Sequence, residues 1–195
     1  MIFDPIELAK SAGYIGLFGI VFAESGILLG FFFPGDSLLF TAGFLASQNI
    51  FDIRLLIPIV FTAAVLGDTV GYWFGAYTGP KIFTKENSLF FNKKHIQRTQ
   101  FFYQKYGPKI IILARFIPII RTFAPILAGV GKMKYRIFFL YNVVGAFLWA
   151  CGIPLLGFYV GSLIPNADKY LIPIIIGIII VSFIPLAKDL LKRKA

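Results

Sequence analysis

The stretch Phe22–Ala46, "FAESGILLGFFFPGDSLLFTAGFLA", is apolar almost throughout, yet it carries Glu24 and Asp36 on either side of Pro34-Gly35. A run this apolar reads as a bilayer segment. Two carboxylates inside it are costly, and a Pro-Gly pair between them ends regular winding. Broken backbone at membrane depth is tolerated only where it is buried in protein or lines a wet cavity. The stretch therefore predicts a re-entrant hairpin over residues 13–48, entering the membrane and returning to its own side. The competing reading is that Tyr14 to Phe33 crosses by itself.

The remainder of the 195 residues supports a membrane setting, with 58% hydrophobic and 17% aromatic residues and a mean hydropathy of +0.81. A soluble domain of this length has too little interior to hide so much apolar surface. Residues 55–79, 137–161 and 170–187 read as ordinary crossings, and Asp68 is the one acid in the first of them. Residues 110–131 do not read that way, because Pro118 and Pro125 break the segment and Arg115 and Arg121 lie inside it. An Arg at the bilayer centre costs at least ~2.5–3.5 kcal/mol. This segment predicts a second re-entrant hairpin.

Charge orients the chain. Residues 80–109, 131–136 and 188–195 share one side under this topology and hold 14 Lys/Arg against Glu86 and Asp189. The other side holds Lys10, Arg54 and Lys169 against Asp4, Glu7, Asp52 and Asp168. The positive-inside rule then puts the C-terminus in the cytoplasm, with 188–195 as a basic tail. The net charge of +10 is thus assigned to cytoplasmic loops, not to nucleic-acid binding. Residues 80–109, basic and aromatic, read as an interfacial linker attracted by anionic lipid. The start "MIFDPIELAK" lacks the pattern of a signal peptide.

The halves echo one another. A broken hairpin ending in Ala42-Gly43 precedes Asp68-x-x-Gly71, and a second one ending in Ala128-Gly129 precedes Asn142-x-x-Gly145. Since the hairpins enter from opposite sides, the expected fold is an all-α integral membrane protein with an inverted repeat. Each re-entrant helical hairpin is followed by a transmembrane helix, and a C-terminal transmembrane helix is added. Corresponding broken segments in inverted halves mark a midplane binding site in transporters. The ladder Gly67, Gly71, Gly75 and Gly79 reads as close helix packing.

The buried ionisable set is Glu24, Asp36, Asp68, Arg115 and Arg121. Mutual pairing that only holds the bundle together is one reading. The other is a site, since ionisable side chains inside a membrane mark function by default. Arg115 and Arg121 are six apart, and the break at Pro118 lets both turn to one cavity. Two guanidiniums suit a phosphate, and hairpin tips add backbone N–H groups. Carboxylates beside a phosphate repel it unless protonated or paired, and a carboxyl group moved out of water is easier to protonate. Arg115 and Arg121 are accordingly the expected phosphate ligands and Glu24 and Asp36 the expected proton carriers, with Asp68 and Asn142 as secondary candidates. His95 is the only histidine and Cys151 the only cysteine, so no metal site and no cofactor are expected. Trp73 and Trp149 support no inference.

The blocks "FAES", "FFFPGDSLLFTAG", "GDTVGYWFG", "LARFIPIIRTFAPILAG" and "MKYRIFFLYNVVGAFLW" follow in order from Phe22 to Gly161. They strongly resemble the DedA family, whose domain is also called the VTT or SNARE-associated Golgi domain. The resemblance implies a lipid transporter with inverted re-entrant hairpins in the cytoplasmic membrane. Bacterial members are implicated in returning undecaprenyl phosphate across it, other members in moving phosphatidylethanolamine, and eukaryotic relatives in scrambling phospholipids. It also implies that Glu24, Asp36, Arg115 and Arg121 match residues essential in bacterial members, whose activity is tied to the proton-motive force.

The leading expectation is a proton-coupled flippase for a lipid phosphate, most of all undecaprenyl phosphate. A phospholipid flippase or scramblase follows, and then a small-ion or proton antiporter, which has less use for paired arginines. An intramembrane lipid phosphatase is disfavoured because the buried set offers no histidine, clear nucleophile or metal cluster. A scaffold is disfavoured by the cost of its buried charges.

Overall fold

A computed structural model describes residues 5–26, 35–82, 103 and 106–163 of the chain. Among these residues there are six helices and no strand: α1 (Pro5–Gly26), α2 (Gly35–Ser47), α3 (Ile53–Ile82), α4 (Ile110–Ala114), α5 (Pro118–Val130) and α6 (Tyr135–Leu163). Residues 27–34 of the first expected hairpin, most of the expected 80–109 linker, the expected 170–187 crossing and the expected basic tail lie outside the described residues.

Helix length separates these elements into two kinds. The apolar part of α3, Ile53–Gly79, and the whole of α6 are long and apolar enough to cross a membrane. Their 27 and 29 residues reach about 40 Å at ~1.5 Å per residue, against a hydrocarbon core of ~30 Å. α2 and α5 have 13 residues each, about 20 Å, and neither can cross alone. α1 bends at Gly13, whose φ of 53° is left-handed, and its apolar part Gly13–Gly26 is equally short.

The chain divides into two compact units. The described part of the first comprises residues 5–17, 35–59 and 151–163. Here α2 is buried on nearly every face, from Ser37–Leu39 and Thr41–Ala46, as expected of a helix enclosed by protein. It packs backbone to backbone on the last turns of α6: a Cβ at Gly43 would strike the Pro154 carbonyl, and one at Gly157 the Phe40 carbonyl. Asp52 caps α3, its Oδ1 accepting from the Arg54 N–H at 2.8 Å, while its own N–H donates to the Tyr14 hydroxyl at 2.8 Å.

The second unit takes in residues 18–26, 60–82, 103 and 106–150 of the described chain. The segment expected as the second hairpin lies in it as α4, a break at Arg115–Ile117, and α5. Ile117 is extended (φ −116°, ψ 108°) and Pro118 opens α5, where a missing N–H costs nothing. The sequence predicts a break at Pro125 too, but α5 runs through it. Pro125 removes a single helical hydrogen bond, and its buried ring lies against Gly71 of α3. Farther along, Gly75 and Gly129 form reciprocal notches. A Cβ at Gly75 would strike the Ile126 carbonyl, and one at Gly129 the Tyr72 carbonyl. The glycine ladder thus packs α3 on α5, and at Gly67 on α1. Outward faces carry Leu66, Tyr77, Leu140 and Phe147, all largely exposed. Apolar outer surface on long apolar helices is what a lipid environment requires.

Candidate functional site

Four ionisable side chains meet inside the second unit. Arg115, 4% exposed, sits at the break after α4. Its Nη2 donates to Asp68 Oδ2 of α3 in a buried ion pair, and also to Asn142 Oδ1 of α6 at 2.7 Å. Asn142 is fully buried, and its Nδ2 donates to the Val65 carbonyl at 3.2 Å, which fixes the amide so that its oxygen faces the guanidinium. Gly145, one turn on, leaves room for the Arg115 stem: a Cβ there would lie 3.6 Å from Arg115 Cδ. Asp68 and Asn142, the polar members of the two echoing motifs, therefore accept from one guanidinium nitrogen.

Arg121 lies in the first turns of α5, past the break. It donates to Glu24 Oε1 of α1 in a second buried ion pair. Glu24 is 3% exposed, and its other oxygen, Oε2, is buried with no hydrogen-bond partner among the described residues. The neighbouring Thr122 hydroxyl is in the same condition. Arg121, Trp149 and Asp36 make further interactions.

Trp149 joins the two pairs. The Arg121 and Arg115 guanidinium carbons lie 5.0 Å and 5.8 Å from the centre of its ring, within the range of cation–π attraction. Asp68, Arg115, Arg121 and Pro125 also line one small cavity of about 10 Å³, room for a single water and not for a phosphate.

Glu24, Asp68, Arg115, Arg121 and Asn142 converge in the second unit. Asp36 stands half-buried in the first turn of α2, in the first unit, and has an interaction of its own. Trp149 is the participant that sequence reading passed over. Its spacing held the signal, since Asn142, Gly145 and Trp149 at intervals of three and four share a helix face. Thr122 gave no signal.

The VTT domain matches residues 33–159, more than half of the chain. Protein DedA of Escherichia coli (strain K12) is 44% identical over 93% of this chain and 83% of its own length. An uncharacterized membrane protein of Mycobacterium leprae is 43% identical over 85% of this chain and 74% of its own. Inner membrane protein YghB of Escherichia coli is 31% identical over 82% and 73%. No solved structure matches the chain. With the VTT domain covering most of its helices and this degree of identity to DedA, the chain belongs to the DedA family of membrane proteins.

Proposed function

We propose that this protein is a translocase for a lipid phosphate, with undecaprenyl phosphate as its first candidate, in the cytoplasmic membrane. The observation that carries the reading is the pair of buried guanidiniums over one indole, each neutralised by a buried carboxylate. A phosphate headgroup would take the place of carboxylate on Arg115 and Arg121 while its tail stays in the bilayer. The three short apolar helices support two re-entrant hairpins in inverted halves, with the linker 80–109 and the C-terminus on the cytoplasmic side.

Proton coupling follows from the cost of the exchange. Stripping Glu24 from Arg121 without protonation leaves an unpaired buried charge, a penalty of about 3–5 kcal/mol. A proton on Glu24 removes it, and among the described residues Oε2 has no competing partner. Headgroup binding then takes up a proton and tightens as pH falls. Asp36 is the second proton carrier in this reading, while Asp68 and Asn142 hold Arg115 in place.

The test is leaflet-resolved transport in proteoliposomes of undecaprenyl phosphate beside phosphatidylethanolamine, with and without a proton gradient. Undecaprenyl phosphate should move faster, and the gradient should drive it. Equal movement of both lipids, indifferent to the gradient, makes the protein a scramblase instead. Release of inorganic phosphate would make it an enzyme. Arg121→Gln with normal expression and undiminished transport would remove the phosphate clamp.

A further inference from the structure

A second, larger cavity lies away from the arginines. It is an open groove of about 490 Å³ lined by Tyr103, Pro108, Lys132, Met133, Lys134 and Ile137. It sits where α5 ends and α6 begins, so it marks the end of two membrane-buried stretches. Aromatic rings surround this level: Tyr135 packs at 5.4 Å from Tyr72, 5.3 Å from Trp73 and 5.7 Å from Phe139. Tyr and Trp gather in this way at headgroup depth.

The charge of the groove has one sign. Lys132 and Lys134 are exposed on its wall, and the sequence has no Asp or Glu between Glu86 and Asp168. The other walls are apolar. Tyr103 contributes its ring, while its hydroxyl donates to the Ala124 carbonyl at 2.9 Å. Burial pushes that phenol above its usual range, so it stays a neutral donor and adds no negative charge. A ligand that satisfies both walls is an anion carried on a hydrocarbon body.

Backbone geometry singles out Lys132. The turn after α5 is a Schellman motif, with Met133 N–H donating to the Ala128 carbonyl at 3.0 Å and Lys132 N–H to the Gly129 carbonyl at 3.0 Å. Lys132 occupies its left-handed position, φ 55°, where glycine is the relaxed choice. A lysine is kept at a conformational cost, beside an open groove, one residue from a second exposed lysine.

We propose that this groove is a second anion site, in which Lys132 and Lys134 bind the phosphate of an anionic phospholipid at the membrane interface. It is separate from the buried arginine pairs and stands whether or not those pairs carry a lipid phosphate.

Methionine occurs only at positions 1 and 133, so methyl-labelled methionine gives one signal from the groove. The full chain in phosphatidylcholine nanodiscs is titrated with dioctanoyl phosphatidic acid, dioctanoyl phosphatidylcholine or inorganic phosphate. The Met133 methyl shift should saturate with phosphatidic acid only. Lys132→Gln and Lys134→Gln should each weaken binding roughly fivefold, while Arg121→Gln leaves it unchanged. Lys132→Gly separates function from folding, since it should raise Tm and still weaken binding. A Met133 signal that ignores phosphatidic acid, follows phosphatidylcholine equally, or is unaffected by the lysine substitutions overturns the proposal. Saturation by inorganic phosphate at equal affinity overturns its lipid assignment.

Discussion

Arg115 and Arg121 make the same kind of bond to the same kind of partner, a buried carboxylate, and yet their surroundings differ. Arg115 is held by Asp68 from α3 and by Asn142 from α6, and Asn142 is itself tied to the Val65 carbonyl. Arg121 meets a carboxylate that has one oxygen engaged and one without a hydrogen-bond partner among the described residues. The first arrangement resembles a bracket with its polar groups matched. The second retains a buried acceptor unmatched among the described residues, and such an acceptor costs free energy and invites a proton or a donor. On the proposed translocase reading, Arg115 is the fixed post and the Arg121–Glu24 pair is the part that opens.

The largest effect expected from this difference is on Arg115→Gln. It strands Asp68 and leaves Asn142 without its guanidinium, and should cost about 3–5 kcal/mol. Tm in detergent would show this, beside a smaller fall for Arg121→Gln. Equal losses would erase the distinction. Next comes Asn142→Leu, which leaves the Val65 carbonyl and Arg115 each short of one partner and should cost about 1–3 kcal/mol. Recovery of that stability by Asn142→Gln would show that the amide acts without fixed geometry, and would break the bracket picture.

Glu24→Gln keeps an oxygen that can accept from Arg121 but removes its counter-charge, and should cost about 1–3 kcal/mol. Its second effect is on transport: the tightening of headgroup binding at low pH should vanish, giving a flat profile. A variant with the wild-type pH profile would move the proton to another group. Thr122→Val is the smallest. Removing a buried hydroxyl that has no partner among the described residues should leave Tm unchanged or raise it by up to about 1 kcal/mol of stability. If instead it slows transport at full stability, that hydroxyl serves the substrate.

Much of this was legible in the sequence wherever a single segment decided the matter. Charge-poor runs located the long helices, expected at 55–79 and 137–161 and found as Ile53–Ile82 and Tyr135–Leu163. Pro118 gave the break between the arginines because proline acts locally. Pro125 misled for the same reason, since its tolerance depends on the face of α3 against which it packs. Which acid pairs with which arginine was not legible. Those contacts span 47 and 97 residues and follow from helix packing that glycine spacing hints at but does not orient. The glycines at 67, 71, 75 and 79 indicated close approach without saying to what, and α3 divides them between α1 and α5.

The reciprocal notches at Gly75 and Gly129 have a mechanical consequence. With main chain seated on main chain, α5 cannot slide along α3 or roll on it unless one ridge climbs out of the other's groove. Any alternation of access must therefore carry these two helices as one rigid lever, with the hinge placed beyond their contact.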